Sequence, residues 1–351
     1  MNFILKYPYL AILLTVLLTL VQKHSLAQHF KKQDSTSISR YIESNRKLIH
    51  LTLSQNTDNE NLSQTTGQNN FRLSPNNSST TKLSFSYQFI SFSIRFIPKF
   101  IPGNNDIATK GNTISHGFGF NYNYKNWFTQ LSYHKTSGYY LENSSDYIPG
   151  WQTGDKYLQL PDLKYQEYQA NFFYRSNPLF SFNALLNQTE RQLQSAGTWL
   201  PGISIRNYII DNQGATVGTS SQRTNNLEAL LSVGYQYTAV MNKGWFGTAG
   251  FIPAMGLLRA KITTRLPSGD IQSSEKNTVY RLRGVGGFGY QSKKWYAGCY
   301  ANWNWLSYKQ ENSSVQNTED KFSYQFYVGI RLKSTKMLES KTEAVKHLIE
   351  K

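Results

Sequence analysis

The chain has 351 residues, of which 15% are aromatic, a formal net charge of +16 and a mean hydropathy of −0.51. The aromatic content excludes a disordered chain, and the polar average excludes a membrane protein built from long apolar helices. The basic residues are scattered without a dense stripe or a binding motif, so nucleic acid is not an expected partner. A β-barrel in lipid fits both properties, because only alternate residues of each strand face the membrane.

The first 27 residues have the three parts of an export signal. Lys6 gives a positive start, residues 9–21 form an apolar run, and Ser25 and Ala27 are small residues at a cleavage site. The run is shorter than the roughly 20 residues that a helical span needs. We therefore predict a cleaved signal peptide over residues 1–27, with an uncleaved anchor helix as the alternative.

The remaining chain divides into three parts by composition. Residues 28–46 are polar and are predicted to be flexible. Residues 47–333 carry the strand pattern and are predicted to form a barrel with long extracellular loops. Residues 334–351 form a charged C-terminal tail.

Apolar and polar residues alternate along most of residues 82–333, as in LSFSYQF at residues 83–89. Because successive side chains of a strand point to opposite faces, each strand has an apolar and a polar face. Aromatic residues lie near predicted strand ends, where barrels carry aromatic girdles, namely Tyr124, Trp127, Trp245, Trp295, Trp303 and Trp305. We predict an all-β, transmembrane antiparallel β-barrel in the outer membrane of a Gram-negative bacterium, with a soluble β-sandwich as the alternative.

The strand count has one internal conflict. About twelve strands follow residue 82, and residues 48–53 can add one more, yet single-chain bacterial barrels have an even number. Short turns near Asn177 and Asn242 both have periplasmic character, although three strands are counted between them. One strand there is either split or missed, so the sequence predicts 12 strands, with 14 as the alternative.

Several short stretches resemble a Bacteroidetes family known as domain of unknown function 4421. They are LSPN (residues 73–76), LSFSYQF (83–89), NPLFSFNALLNQ (177–188), QSAGTWLPGIS (194–204) and VGYQY (233–237). The resemblance covers roughly residues 40–333. It implies an outer-membrane or secreted barrel without an established activity, and it implies no catalytic residues.

The sequence gives no catalytic, cofactor or metal site. Cys299 is the single cysteine, and no histidine pair has the spacing of metal ligands. His134 is predicted to face the lumen beside Ser132, but two residues along one strand place their side chains about 6.5–7 Å apart. A hydrolase would need a serine on a neighbouring strand, and the sequence does not identify one.

Polar and charged residues on the predicted inner face form the candidate site. They are Arg95, His134, Glu167, Arg175, Arg206, Glu228, Arg281, Arg283 and Arg331. Since both signs are present, we expect these charges to pair and brace the barrel interior. The alternative is a cationic constriction that selects anions.

The favoured function is therefore a non-enzymatic barrel, either a narrow channel or a structural envelope protein. One alternative is a lipid-modifying barrel hydrolase. The other is a surface adhesin or receptor that acts through aromatic residues of loop 138–164, such as Tyr139, Tyr140, Tyr147, Trp151 and Tyr157. Expected partners are outer-membrane lipid, lipopolysaccharide and the barrel-assembly machinery, and the sequence does not specify a solute or surface ligand.

Overall fold

A computed structural model describes residues 35–57, 61–66, 69–76, 79–88, 90–213, 221–241, 244–309 and 316–349. The predicted signal peptide lies outside these residues. Four α-helices are present in the described part, namely α1 (Ser35–Tyr41), α2 (Ile107–Lys110), α3 (Phe182–Leu186) and α4 (Lys336–Ile349), with a 3-10 turn at Ser144–Asp146. Helix α4 lies within the predicted C-terminal tail.

The rest of the described chain is mainly β-structure. The strands are β1 (Ile42–Ser44), β2 (Leu48–Asn56), β3 (Leu62–Thr66), β4 (Asn69–Pro75), β5 (Thr80–Tyr87), β6 (Ile90–Phe96), β7 (Ile114–Tyr124), β8 (Trp127–Leu141), β9 (Gln159–Tyr174), β10 (Glu190–Gln192), β11 (Ala196–Asn212), β12 (Ser221–Val240), β13 (Trp245–Leu266), β14 (Gly269–Gln291), β15 (Trp295–Lys309) and β16 (Gln316–Lys333).

Twelve of these strands close into an antiparallel barrel, which confirms the predicted fold and strand count. The ring runs β2, β5, β6, β7, β8, β9, β11, β12, β13, β14, β15 and β16, and it closes where β16 pairs with β2. The start of β2 and the end of β16 lie at the same end, together with short turns such as residues 125–126 and 292–294. We call this the terminal end and the opposite one the loop end.

The loop end of the barrel is closed by a different set of strands. Hairpin β3–β4 pairs through β3 with the start of β16 and through β4 with the last residues of β8. It thereby bypasses the four short strands β2, β5, β6 and β7. The ring is therefore twelve-stranded over most of its height and ten-stranded at the loop end, where the bypass narrows it.

The outer face of the barrel is apolar and exposed. Phe251 and Leu227 each expose 50% of their surface, as do many residues at alternate positions of the other strands. At the terminal end, aromatic rings contact one another across neighbouring strands. These pairs are Trp127–Tyr174, Trp199–Tyr235, Trp245–Tyr290 and Tyr290–Trp295, with centroids 4.9–5.3 Å apart. Of the aromatic residues predicted at strand ends, Tyr124, Trp127, Trp245 and Trp295 lie there, whereas Trp303 and Trp305 lie inside β15.

The predicted tight turn at Ser176–Asn177–Pro178 is wrong, and this error explains the strand-count conflict. Residues 175–195 form a long connection between β9 and β11 that contains α3 and β10. Among the described strands of the ring, β11 and β12 lie between residues 177 and 242, which is an even number. Pro201 lies inside β11 opposite Val233 of β12, while pairing of β11 with β9 starts at Gly202. Its missing N–H is tolerated because that edge of the strand has no ladder partner there.

Candidate functional site

The connection of residues 175–195 folds into the terminal end of the barrel, and we call it the plug. Its residues Phe180, Phe182 and Leu185 are at most 8% exposed and belong to one apolar cluster with residues of the barrel wall. The Phe182 ring stacks on that of Phe128 with centroids 5.1 Å apart. The hydroxyl of Ser181 accepts the Ala184 N–H at 3.0 Å, which caps helix α3.

Polar contacts fasten the plug to the wall. Gln291 of β14 donates to the Ala184 carbonyl at 2.7 Å, and Arg331 of β16 donates to the Gln188 carbonyl at 3.1 Å. Arg175, the first residue of the plug, donates to the Phe180 carbonyl within the plug at 2.7 Å and to the Lys125 carbonyl of the β7–β8 turn at 3.2 Å. Burial lowers the pKa of the Arg175 guanidinium, against the opposing effect of Glu190. Arg175 and Arg331, two of the predicted lumen residues, thus hold the plug.

The segment that precedes the barrel also pairs with the plug. Strand β1 pairs with β10 of the plug, with Glu43 opposite Arg191. The carboxylate of Glu43 lies 3.2 Å from the Arg191 guanidinium. Glu190, 5% exposed, forms an ion pair with Arg46 and accepts a hydrogen bond from Ser181 at 2.5 Å. Because β1 leads directly into wall strand β2, it joins the plug to the barrel.

A polar chamber of about 560 Å³ lies inside the barrel beside the plug. Its lining includes Phe182 and Leu185 of the plug and many polar wall residues, with Ser84, Ser93 and Asn302 among them. A second apolar cluster lies farther toward the loop end. It contains Tyr139, Leu163, Tyr165, Tyr208, Leu230, Leu258, Val279 and Leu306, with Leu62 and Leu73 of the β3–β4 hairpin packed against it.

Four charged wall residues, Glu167, Arg206, Glu228 and Arg281, form a network beside this chamber. Glu228 is 1% exposed and accepts hydrogen bonds from Arg206 at 2.9 Å and from Arg281 at 2.8 Å. Arg206 also lies 3.4 Å from Glu167, whose carboxylate accepts the Tyr165 hydroxyl at 2.5 Å. Such pairing compensates the cost of burying each charge.

Two further predicted cations line the same chamber outside that network. Arg283 donates to the neutral side chain of Asn304 at 3.1 Å, and it forms no ion pair with any carboxylate in the described part of the chain. Arg95 contacts the His134 ring and donates to Ser115 at 3.3 Å. The nine predicted residues therefore fall into three places: the plug contacts, the Glu228 network, and the chamber wall around Arg283 and Arg95.

His134 does have a serine on a neighbouring strand, which the sequence could not locate. Ser115 of β7 lies 3.4 Å from His134 Nε2, and Thr136 lies 2.7 Å from the same nitrogen. A hydrolytic triad needs a carboxylate or amide to orient the histidine, whereas here the Arg95 guanidinium lies against Nδ1. His134 is buried and faces inward, so this cluster does not favour the lipid-hydrolase alternative.

The predicted loop 138–164 is shorter in the structure, because residues 138–141 belong to β8 and residues 159–164 to β9. Its aromatic residues pack against one another or against residues of the barrel. Tyr157 contacts both Tyr140 and Trp151 edge to face at 5.0 Å, and Tyr147 stacks on Phe71. Tyr139 is 1% exposed and belongs to the second apolar cluster. These contacts leave the rings little free face for stacking on a ligand.

In the part of the chain that the structure describes, no group of three or more His, Cys, Asp or Glu side chains could hold a metal ion. Within the same residues, no helix is long and apolar enough to cross a membrane.

Sequence residues 32–331 match the family described as Domain of unknown function (DUF4421). The chain belongs to this family. No curated protein matches the sequence. Membership in DUF4421 confirms the family that the short motifs indicate, and it assigns no activity.

Solved barrels are similar in fold to this DUF4421 member. The outer membrane protease OmpT from Escherichia coli is 10% identical with a TM-score of 0.37, and the match covers 83% of this chain and 98% of that one. An outer membrane channel from Pseudomonas putida F1 is 10% identical with a TM-score of 0.36, over 83% and 98% of the two chains. The likeness concerns the fold alone.

Proposed function

We propose that this protein is an outer-membrane β-barrel that forms a narrow channel, held closed by the plug. Export through the signal peptide of residues 1–27, contact with outer-membrane lipid and lipopolysaccharide, and insertion by the barrel-assembly machinery belong to the same proposal. So does an origin in the Bacteroidetes, which depends on the motif resemblance.

The outer surface supports a location in a membrane. Exposed apolar side chains encircle the barrel, and contiguous apolar surface of this extent is rare on soluble monomers. The aromatic contacts at the terminal end correspond to an interfacial girdle. Since short turns face the periplasm in such barrels, the terminal end with its plug is assigned to the periplasmic side.

The observation that carries the channel proposal is the polar chamber that the plug borders. A purely structural barrel of this width could be filled by side chains from its wall. Here a separate segment of residues 175–195 occupies the terminal end, next to a chamber of about 560 Å³. Besides its apolar contacts, the segment is attached to the wall by side-chain hydrogen bonds and ion pairs, which can be exchanged for water when it moves.

A reversible cross-link tests this gate. Glu43 and Arg191 are directly opposed on β1 and β10, so cysteines at both positions are within reach of a disulfide. The pair is introduced into a Cys299→Ser background, and the detergent-folded protein is placed in planar bilayers. We expect single-channel openings under reducing conditions and their loss after oxidation. The Cys299→Ser protein alone is the control and should be insensitive to redox state.

An absence of conductance contradicts the channel proposal when the protein tested is folded. Folding is checked first by the mobility shift of an unboiled sample and by a β-type circular dichroism spectrum. If the folded wild-type protein, the reduced double-cysteine variant and a variant lacking residues 178–193 all fail to conduct, the channel proposal is wrong. The structural-envelope interpretation would then be preferred.

A further inference from the structure

We propose that the chamber is a binding site for a small oxyanion, a carboxylate or phosphate solute, with Arg283 as its principal contact. This inference rests on the proposed channel and names the class of solute that it admits. The chamber volume of about 560 Å³ is within the roughly 300–1,000 Å³ of small-molecule sites.

The charge of the chamber lining points to an anion. Among the side chains that the structure describes, five basic residues line it, namely Lys82, Arg95, Arg206, Arg281 and Arg283, against one acidic residue, Glu167. Glu228 lies behind the lining and accepts hydrogen bonds from Arg206 and Arg281. The two carboxylates thus match the charges of Arg206 and Arg281, whereas Arg283 forms no ion pair with a carboxylate in the described part of the chain.

The position of Arg283 makes it the centre of the proposed anion site. It faces the same side of β14 as Arg281, one residue apart, and is held by a hydrogen bond from its Nε to Asn304. The acceptor of this bond is neutral, and the bond restrains the orientation of the guanidinium plane. The two Nη groups take no part in it. A planar guanidinium whose orientation is fixed is suited to bidentate binding of a carboxylate or phosphate.

Two further basic residues, on another part of the wall, belong to the proposed anion site. Lys82 of β5 and Arg95 of β6 are directly opposed in the strand register and line the same chamber as Arg283. An anion bound in the chamber should also stabilise the folded barrel, because a ligand that binds only the folded state shifts the folding equilibrium towards it.

Equilibrium dialysis of the detergent-folded protein against labelled phosphate or labelled succinate tests the site without requiring a current. We expect saturable binding of at least one probe by the wild-type protein, and succinate and phosphate separate the two oxyanion classes. Arg283→Gln should weaken binding at least about tenfold, because a charge-assisted hydrogen bond is lost. Arg283→Lys, which keeps the charge without the planar fork, should give an intermediate affinity.

A matched variant controls for net charge. Arg259 is exposed on the outer face of β13, so Arg259→Gln removes one positive charge away from the chamber and should bind as the wild type does. No saturable binding of either probe, or equal binding by Arg283→Gln and wild type, would overturn the anion site. Binding without conductance would overturn the channel and leave the anion site supported, so the two failures are distinguishable.

Discussion

Arg281 donates a hydrogen bond to the carboxylate of Glu228 over 2.8 Å, although the two residues lie on β14 and β12 with β13 between them. The contact therefore braces three adjacent strands across the inner face of the wall. Glu228 also accepts a hydrogen bond from Arg206 of β11, which extends the brace to a fourth strand. One buried carboxylate thus holds two arginines in position beside the chamber.

Replacing Glu228 should destabilise the barrel strongly. In Glu228→Gln, two buried guanidinium groups lose their shared counter-charge, and breaking a buried pair costs about 3–5 kcal/mol. We expect a fall of that order in the free energy of unfolding, measured by denaturant titration of the detergent-folded protein with tryptophan fluorescence. Asp162→Asn, at an exposed position of β9, is the control and should change little. Equal denaturant midpoints of unfolding for the two variants would show that the network does not stabilise the barrel.

The plug should depend more on Glu190 than on Glu43. Glu190 is 5% exposed, pairs with Arg46 and accepts the hydroxyl of Ser181, whereas Glu43 and Arg191 have side chains 31% and 24% exposed. Partly exposed pairs contribute about 0–1 kcal/mol. We therefore expect Glu190→Ala to accelerate hydrogen–deuterium exchange of the plug amides much more than Glu43→Ala does. The reverse order would mean that the β1–β10 pair, and not the buried carboxylate, holds the plug.

Helix α3 offers a matched pair of truncations. Phe182 is buried and stacks on Phe128, while Leu186, on the same helix, is 46% exposed. Phe182→Ala should lower the free energy of unfolding by up to about 3–5 kcal/mol, as for other buried aromatic truncations, and should lengthen channel openings. Leu186→Ala should do neither to a comparable degree. Similar effects of the two truncations would contradict docking of the plug through Phe182.

The barrel itself could be predicted because its physical signal is local. Alternation with a period of two, as in residues 83–89, shows the apolar and polar faces of each strand directly in the sequence. The lumen-facing assignments of Arg206, Glu228 and Arg281 follow from the same parity. Which arginine pairs with which carboxylate could not be predicted, since Glu228 and Arg281 are joined only by the register of three strands.

The plug was missed because its apolar residues resemble another strand in a chain full of strands. The useful signal was the change of period after Ser181, where Phe182, Leu185 and Leu186 have helical spacing behind a residue suited to cap a helix. Its insertion into the lumen has no local signal at all. Similarly, the serine beside His134 is Ser115, and the contact follows from the β7–β8 register.

Membrane insertion should depend on where a charge is placed along the outer face. Phe251 is exposed on β13, about 20 Å along the strand from Trp245 of the aromatic girdle at about 3.3 Å per residue. An arginine near the middle of the bilayer costs about 2–4 kcal/mol in such barrels. We expect Phe251→Arg to reduce the folded fraction recovered in liposomes, scored by the mobility of unboiled samples.

A second arginine substitution provides the internal comparison for that experiment. Gln272 is exposed on the outer face of β14 and pairs with Thr263, about 40 Å farther along the strands than Phe251. That position lies in the extension of β13 and β14 beyond the thickness of a bilayer, so Gln272→Arg should fold into liposomes as well as the wild type does. Because both variants add the same charge, a difference between them reports depth in the membrane. Equal folding of the two would mean that lipid does not surround Phe251, and the outer-membrane assignment would lose its main support.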